Sequence, residues 1–338
     1  MCTNISISRK TKDDALISAR TLDFGKAIPT TVKFVPRQQA FPKVALPDEI
    51  KWKNKYGFIG LTANLYNLAA VTYLDGINEA GLSAAALWLP GSNYPKPRPG
   101  TPVLYNISLV SYVLGSFDNV DDAAAALSEI TVIDANQSSI SITHPPLHFI
   151  LTDAYGKHLV IEFMNGEMQI YINKIGVLTN APSYDWHMVN LSNYEDLSLN
   201  NNPAVWWGQE INGSGQVGSP GDPTPPSRFI RAAFLDQTAF RPANIQENIG
   251  LHLQILQTFI VPHGTVLKSY SETEADYTQW SVVRDHTNRS IYFYTDFNNT
   301  LFGIQLDKQN FDAPEQKQIN IVQPNWYMDI STCFRDGE

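Results

Sequence analysis

Met1-Cys2-Thr3-Asn4-Ile5-Ser6-Ile7-Ser8 opens the chain, with a cysteine directly behind the initiator methionine and leading into a strand-like segment. Removal of Met1 places a thiol and a free α-amine on one residue. An α-amine titrates at about 7.7–8.0, far below lysine, so near neutral pH a useful fraction can accept a proton. A thiol, with an ordinary pKa of about 8.5, is the nucleophile such a base activates. One residue then holds both halves of an acyl-transfer site. Taken alone, a cysteine at position 2 is far more often incidental, so its partners along the chain decide the reading.

Working outward, Cys2–Ser8 and Ala15–Phe24 read as a hairpin around the turn-forming Lys10-Thr11-Lys12-Asp13-Asp14. Further strands are expected at Val32–Val35, Gly57–Asn64, Leu68–Leu74 and Ser83–Trp88. Their alternation is imperfect, as in sheets covered on both faces. The Ala- and Leu-rich stretches Val103–Gly115 and Val120–Ser128 read as helices, the second opened by Asp121 and Asp122. Leu147–Thr152, His158–Phe163 and Met168–Ile172 form a meander whose second turn, Asn165-Gly166, is a strong hairpin signal. Ser227–Thr238 and Ala243–Phe259 are helical, and Trp280–Arg284, Ile291–Thr295 and Phe302–Leu306 return to strands. Segregated blocks of strands and helices favour an α+β architecture with antiparallel sheets. From Asn190 to Asp222 the chain is rich in Asn, Gly, Ser and Pro yet carries Trp206 and Trp207, which marks an excursion packed on a neighbour and not a domain boundary. The whole of 1–338 is therefore read as a single domain.

Composition narrows the function. The chain has 338 residues, 43% hydrophobic and 17% charged, enough to bury a substantial core. A formal charge of −9, without long runs of lysine or arginine, argues against a nucleic-acid or anionic-membrane surface and leaves a small-molecule substrate. Cys2 and Cys333 are the two cysteines, so no disulfide framework is implied and Cys333 reads as a packed or incidental thiol. No apolar run reaches about 18 residues, and the start lacks a secretory pattern. A cytoplasmic protein is expected, or a periplasmic one if a leader has been trimmed. Neither metal nor organic cofactor is expected.

Several polar residues could assist Cys2. Hairpin pairing brings Arg20 and Asp23 back beside it, where a guanidinium favours thiolate and a carboxylate can orient the amine. Asn180, in Val177-Leu178-Thr179-Asn180-Ala181-Pro182, could donate to an oxyanion, and Arg228, at a helix start, could support charge. Each has a bland reading as a turn or surface residue.

Together, Cys2, Arg20-Thr21-Leu22-Asp23, Asp75-Gly76-Ile77-Asn78-Glu79-Ala80-Gly81-Leu82, Leu178-Thr179-Asn180-Ala181-Pro182 and Ser227-Arg228-Phe229-Ile230-Arg231 resemble the choloylglycine hydrolase family, in order and across nearly the whole chain. That family comprises bile salt hydrolases and penicillin V acylases with an N-terminal nucleophile. The resemblance implies a four-layer αββα sandwich. It also implies Cys2 as nucleophile and base, Arg20 and Asp23 as its electrostatic partners, Asn180 and the backbone N–H of Trp88 as oxyanion donors, and Arg228 as a charged support. Where Gram-positive bile salt hydrolases have asparagine in a Gly-Leu-Asn-Phe context, this chain has Trp88, similar to penicillin V acylases. Phe24 stands where their Gram-negative branch tends to carry a second tryptophan. A pocket walled by Trp88 and Phe24 suits an aryl or alkyl acyl group. Ser192-Asn193-Tyr194 and Trp207-Gly208 in the long excursion resemble the tetrameric type, so a homotetramer is expected. The implied activity is hydrolysis of an acyl amide of the penicillin V or N-acyl homoserine lactone kind. A conjugated bile salt is the alternative substrate, and a noncatalytic binder of amphipathic small molecules is the alternative from another class.

Overall fold

The structure is a computed structural model that describes residues 1–6, 15–42, 48–63, 72–134, 145–201, 205–206, 209–210, 213–268 and 274–334. The chain runs β1 (Cys2–Ser6), β2 (Ile17–Phe24), β3 (Thr31–Val35), the short β4 (Ala40–Phe41) and β5 (Trp52–Lys53), β6 (Phe58–Ala63), β7 (Thr72–Asn78), β8 (Ser83–Trp88) and β9 (Val103–Tyr105). After helices α1 (Leu109–Ser116) and α2 (Val120–Ser128) come β10 (Thr131–Ile133) and the meander β11 (Leu147–Thr152), β12 (His158–Met164) and β13 (Glu167–Ile172). Helix α3 (Tyr184–Leu191), the two-residue strands β14 (Val205–Trp206) and β15 (Gln209–Glu210), and helices α4 (Pro225–Thr238) and α5 (Ile245–Gln257) follow. The chain closes with β16 (Val266–Leu267), β17 (Ala275–Asp285), β18 (Ser290–Thr295), β19 (Asn298–Gln305) and β20 (Lys317–Asn320).

Two antiparallel sheets form the middle of an α+β, four-layer αββα sandwich. One has the order β1-β2-β17-β18-β19 with β16 beside β17, and the other β13-β12-β11-β8-β7-β6-β3-β20. Helices α4 and α5 lie against β1, β2 and β17, while α1 covers β7 and β8. This explains the blurred alternation: β6 and β7 are buried along their whole length, and β2 at every residue but Phe24, because both faces are covered. Period-two exposure appears where a face is free, as along edge strand β19. Asn165 and Gly166 adopt φ of 56° and 79°, the left-handed pair a two-residue hairpin turn requires.

Several sequence expectations need correction. The helix expected over Val103–Gly115 begins at Leu109. Val103–Tyr105 is instead a strand paired in parallel with Thr131–Ile133, a partner too distant for periodicity to reveal. Trp280–Arg284 lies in the second half of an eleven-residue strand that begins at Ala275. Helix α3 and strand β20 went unforeseen. The turn at 10–14, the start of the strand expected at Leu68, and Trp207 lie outside the described residues. Of the long excursion, the described parts hold a 3-10 turn at Ser192–Tyr194 and the β14–β15 pair.

Candidate active site

The β1–β2 register decides which side chains meet. Cys2 faces Leu22 and Asn4 faces Arg20, and directly opposed residues share a sheet face. Cys2, Asn4, Arg20 and Leu22 therefore point toward the second sheet, while Thr3, Thr21 and Asp23 point toward the helical layer. An isolated bridge pairs Asn4 with Leu178, which carries the chain on to Asn180 beside Cys2.

Arg20 is fully buried beside the nucleophile candidate. Its Nη2 lies 3.5 Å from Cys2 Sγ and donates to Ala86 O, while its Nη1 donates to Leu74 O and to Asp75 Oδ2 at 3.2 Å. Asp75 also receives Arg284 through both oxygens at 3.2 Å, and Arg284 reaches Asn4 Oδ1 at 2.6 Å. Trp280 stacks under the Arg20 guanidinium at 5.2 Å. Burial works against the Arg20 charge, yet Cys2 and Asp75 outweigh it and hold its pKa above the ordinary arginine value.

The backbone N–H of Cys2 donates to Asn180 Oδ1 at 2.8 Å, and Arg228 Nη2 donates to the same oxygen at 2.7 Å. Asn180 Nδ2 donates to Trp88 O at 2.6 Å. Two donors at one end of the amide and a carbonyl at the other fix its orientation. Arg228 Nη1 bonds Cys2 O and, at 2.6 Å, Thr3 Oγ1. Pro225 at the first position of α4, with Asp222 accepting from Thr224 and Ser227, starts the helix so that Arg228 lies in its first turn. Leu89 N–H donates to Pro146 O across the β8–β11 ladder, so by alternation Trp88 N–H and C=O turn away from β11, toward the Asn180 side.

Asp23 lies on the opposite face from the thiol. Its carboxylate accepts from Thr278 Oγ1 at 2.5 Å and Thr21 Oγ1 at 3.2 Å. Burial raises its pKa, with the Arg228 charge pulling the other way. Burial likewise lowers the Arg228 pKa against the pull of Asp23 and Cys2. Met1 is in place, and its ammonium donates to the backbone O of Asp23 at 2.5 Å while Asp23 N–H returns a bond to Met1 O at 2.9 Å. The nitrogen expected to become the free amine, that of Cys2, is met here by Asn180 Oδ1.

Cys2 lies in a cavity of about 30 Å³ lined by Arg20, Leu22, Phe24, Ile28, Leu74, Ala86, Trp88, Pro145 and Leu147. Phe24 and Trp88 meet at 5.6 Å between centroids, tilted 58°. The described residues thus bring Cys2, Arg20, Asn180 and Arg228 into direct contact, set Phe24 and Trp88 above them, and place Asp23 one layer away. Groups that sequence reasoning did not single out hold them. Asp75 anchors Arg20 and is itself held by Arg284, and Thr278 anchors Asp23. His187 bonds Asn180 O at 2.8 Å, and His148, paired with Glu162 at 2.9 Å, meets Thr179 O at 3.2 Å. A charged residue inside a buried strand is the signal that could have found Asp75 and Arg284. Among the described residues there is no His, Cys, Asp and Glu cluster able to hold a metal ion.

Residues 2–319 match the linear amide C–N hydrolases, choloylglycine hydrolase family. The chain belongs to that family. A bile salt hydrolase/transferase from Clostridium perfringens is 32% identical over 330 residues, covering 94% of this chain and 96% of the relative. A penicillin V acylase from Pectobacterium atrosepticum is 27% identical over 326 residues, covering 92% of this chain and 82% of the relative. Among solved structures, a variant of conjugated bile acid hydrolase from Clostridium perfringens superposes with a TM-score of 0.85 at 28% identity, covering 98% of this chain and 100% of the other. Penicillin V acylase from Agrobacterium tumefaciens gives 0.77 at 25%, covering 94% and 91%. This choloylglycine hydrolase relative is an amidohydrolase of linear amides, and none of its described helices is long and apolar enough to cross a membrane.

Proposed function

We propose that the chain, as a single hydrolase unit freed of Met1, cleaves acyl amides through Cys2. The carrying observation is that Cys2 presents its backbone nitrogen to Asn180 Oδ1 at 2.8 Å and its sulfur to Arg20 at 3.5 Å. Once Met1 is gone that nitrogen is the α-amine. Unprotonated, it takes the thiol proton, directly or through water, and sulfur attacks the amide carbonyl. The second N–H of Asn180 and the backbone N–H of Trp88 receive the oxyanion, each such donor being worth about 10²–10³ in rate. Arg20 offsets charge at sulfur, Arg228 and Asp23 steady the terminus, the protonated α-amine gives its proton to the departing amine, and water then hydrolyses the thioester to free the acid and the thiol.

The acyl group is read as of the penicillin V or N-acyl homoserine lactone kind, because Trp88 and Phe24, with Leu22, Ile28 and Leu147, set aromatic and apolar side chains beside Cys2. A conjugated bile salt is the second reading, favoured by the 32% identity to the bile salt hydrolase/transferase. Assembly as a homotetramer through the 190–222 excursion is part of the proposal, with four chains in sedimentation as its check. Intact mass should show loss of Met1. Penicillin V and a long-chain acyl homoserine lactone should then be hydrolysed faster than a glycine-conjugated bile salt. Dominant bile-salt turnover would replace the acyl assignment, and brisk turnover by protein retaining Met1 would remove the amine as base.

A further inference from the structure

We infer that Gln279 determines acyl selectivity by clamping the Phe24–Ile28 loop against the nucleophile pocket. The inference rests on the acyl-pocket reading above. The β2–β17 register is regular on either side of Gln279 but shifts between Thr278, opposite Asp23, and Trp280, opposite Leu22. Gln279 is the extra residue of this bulge. A bulge frees one side chain from the two-face alternation and re-aims it. Here the freed side chain, 6% exposed, turns to the loop that follows β2.

Its Nε2 donates to Phe24 O at 3.0 Å and Lys26 O at 2.7 Å, and its Oε1 accepts from Ile28 N–H at 2.8 Å. Two carbonyls and one N–H, on alternate residues, match the donors and acceptor of a primary amide. The next residue adds a second tie: Trp280 Nε1 donates to Thr30 Oγ1 at 3.2 Å, which donates to Ile28 O at 3.0 Å. The clamped residues are those that matter to an acyl group, since Phe24 and Ile28 both line the Cys2 cavity. Phe24 also pairs with Tyr277 and meets Trp88, and Ile28 packs in the main core, so the amide acts on the backbone that joins two anchored side chains. Lys26 and Ala27 are exposed, and the other side of the clamp borders a groove of about 510 Å³ lined in part by Ala27, Ile28, Thr30, Gln279 and Trp280. Lys268, 5.7 Å over the Phe24 ring, is a partial cover.

Gln279 is therefore a positioning residue. Loosening it should weaken binding of a bulky acyl group and spare the chemistry at Cys2. Gln279→Leu removes all three bonds at similar volume. Gln279→Glu keeps the acceptor for Ile28 and sets a carboxylate against the two carbonyls. The measurement is kcat and KM for a phenoxyacetyl and an acetyl amide with the same leaving amine. Alongside it, phenoxyacetate and acetate are compared for protection of Cys2 from iodoacetamide. Both variants should raise KM for the phenoxyacetyl amide by about tenfold and leave the acetyl amide, and unprotected alkylation, within about twofold. Phenoxyacetate should lose its protection to the same extent. An unchanged ratio between the two amides, or an equal fall for both, overturns the clamp. If the wild type hydrolyses neither amide, the functional reading fails instead, and the protection assay alone decides the clamp.

Discussion

At the Cys2 end of β1, β2 and β17 the protein buries three guanidinium groups, Arg20, Arg228 and Arg284, with two carboxylates, Asp23 and Asp75. Beyond them, where Arg284 and the buried Asp285 lie beside Ser18 and Ile17, it buries three imidazoles: His286 just past β17, His158 on β12 and His252 on α5. Ser18 Oγ meets His286 Nε2 at 2.7 Å, and His286 Nδ1 meets Gly81 O at 2.8 Å, which makes Nδ1 the donor and Nε2 the acceptor. His158 meets Thr152 Oγ1 at 3.0 Å and His252 meets Asn248 O at 2.9 Å. Burial lowers His158 and His252 to about 4 and His286 to about 3. Both ends cost desolvation, but the guanidinium groups keep their charge and the imidazoles give theirs up. At the Cys2 end the formal excess of one positive charge lies around the sulfur and the nitrogen that acyl transfer uses. Charge has been retained where negative charge would develop, and eliminated where polar groups only fill the layer.

Replacing Cys2 by Ala should lower amide hydrolysis by at least about 10⁴-fold. His158→Gln at the other end should leave kcat within about threefold, and a comparable loss there would break the contrast. Asp75→Asn comes next. It strips the shared counter-ion from Arg20 and Arg284 and should cost about 3–5 kcal/mol in urea unfolding. A drop in kcat should accompany it as Arg20 loosens. A destabilisation under about 1 kcal/mol would mean that the arginines are held by their carbonyl partners alone.

The imidazole end should govern acid stability. Each ring is neutral in the fold, with a folded pKa below its ordinary value near 6.5, so the unfolded chain binds more protons between about pH 6.5 and 4. Stability therefore falls as pH falls through that window, by up to about 3 kcal/mol per ring. Urea midpoints from pH 7 to 4 should show the slope, and His252→Gln should flatten it. A flat wild-type profile would contradict neutral burial.

How much of this was legible in the sequence depended on the range of the interactions. The Asn165-Gly166 hairpin and the β11–β13 meander follow from local turn chemistry and were readable. Val103–Tyr105 misread as helix because its partner strand starts at Thr131. Helix α3 carries few strong helix formers and is held by tertiary contacts, with Glu162 accepting from Tyr184 N–H and buried Tyr184 and His187. In the candidate site, Cys2, Arg20, Asn180 and Arg228 were found through a resemblance of ordered motifs. Asp75 stood at the head of one such motif without a role, and Arg284, Thr278 and Gln279 were not found, since each acts on a partner far away in sequence. A lone arginine after Val282-Val283 was a usable sign, because an unpaired charge in a buried strand is not tolerated. The Gln279 bulge left no sign in periodicity.

The finest test compares two single hydroxyls. Thr278 donates to Asp23 Oδ1 and accepts from Val261 N–H at 2.9 Å, and Ser18 bonds His286. Thr278→Val and Ser18→Ala should each cost about 1–2 kcal/mol, since each removes buried hydrogen bonding without removing a charge. Their effects on activity should differ. The Thr278 bond lowers the Asp23 pKa against the upward push of burial, so its loss lets that pKa rise further. If ionised Asp23 steadies the terminus that bears the amine, the acid limb of kcat/KM moves to higher pH in Thr278→Val and stays in place in Ser18→Ala. Equal pH profiles for the two variants would show that the carboxylate end differs from the imidazole end in charge alone and not in its bearing on the reaction.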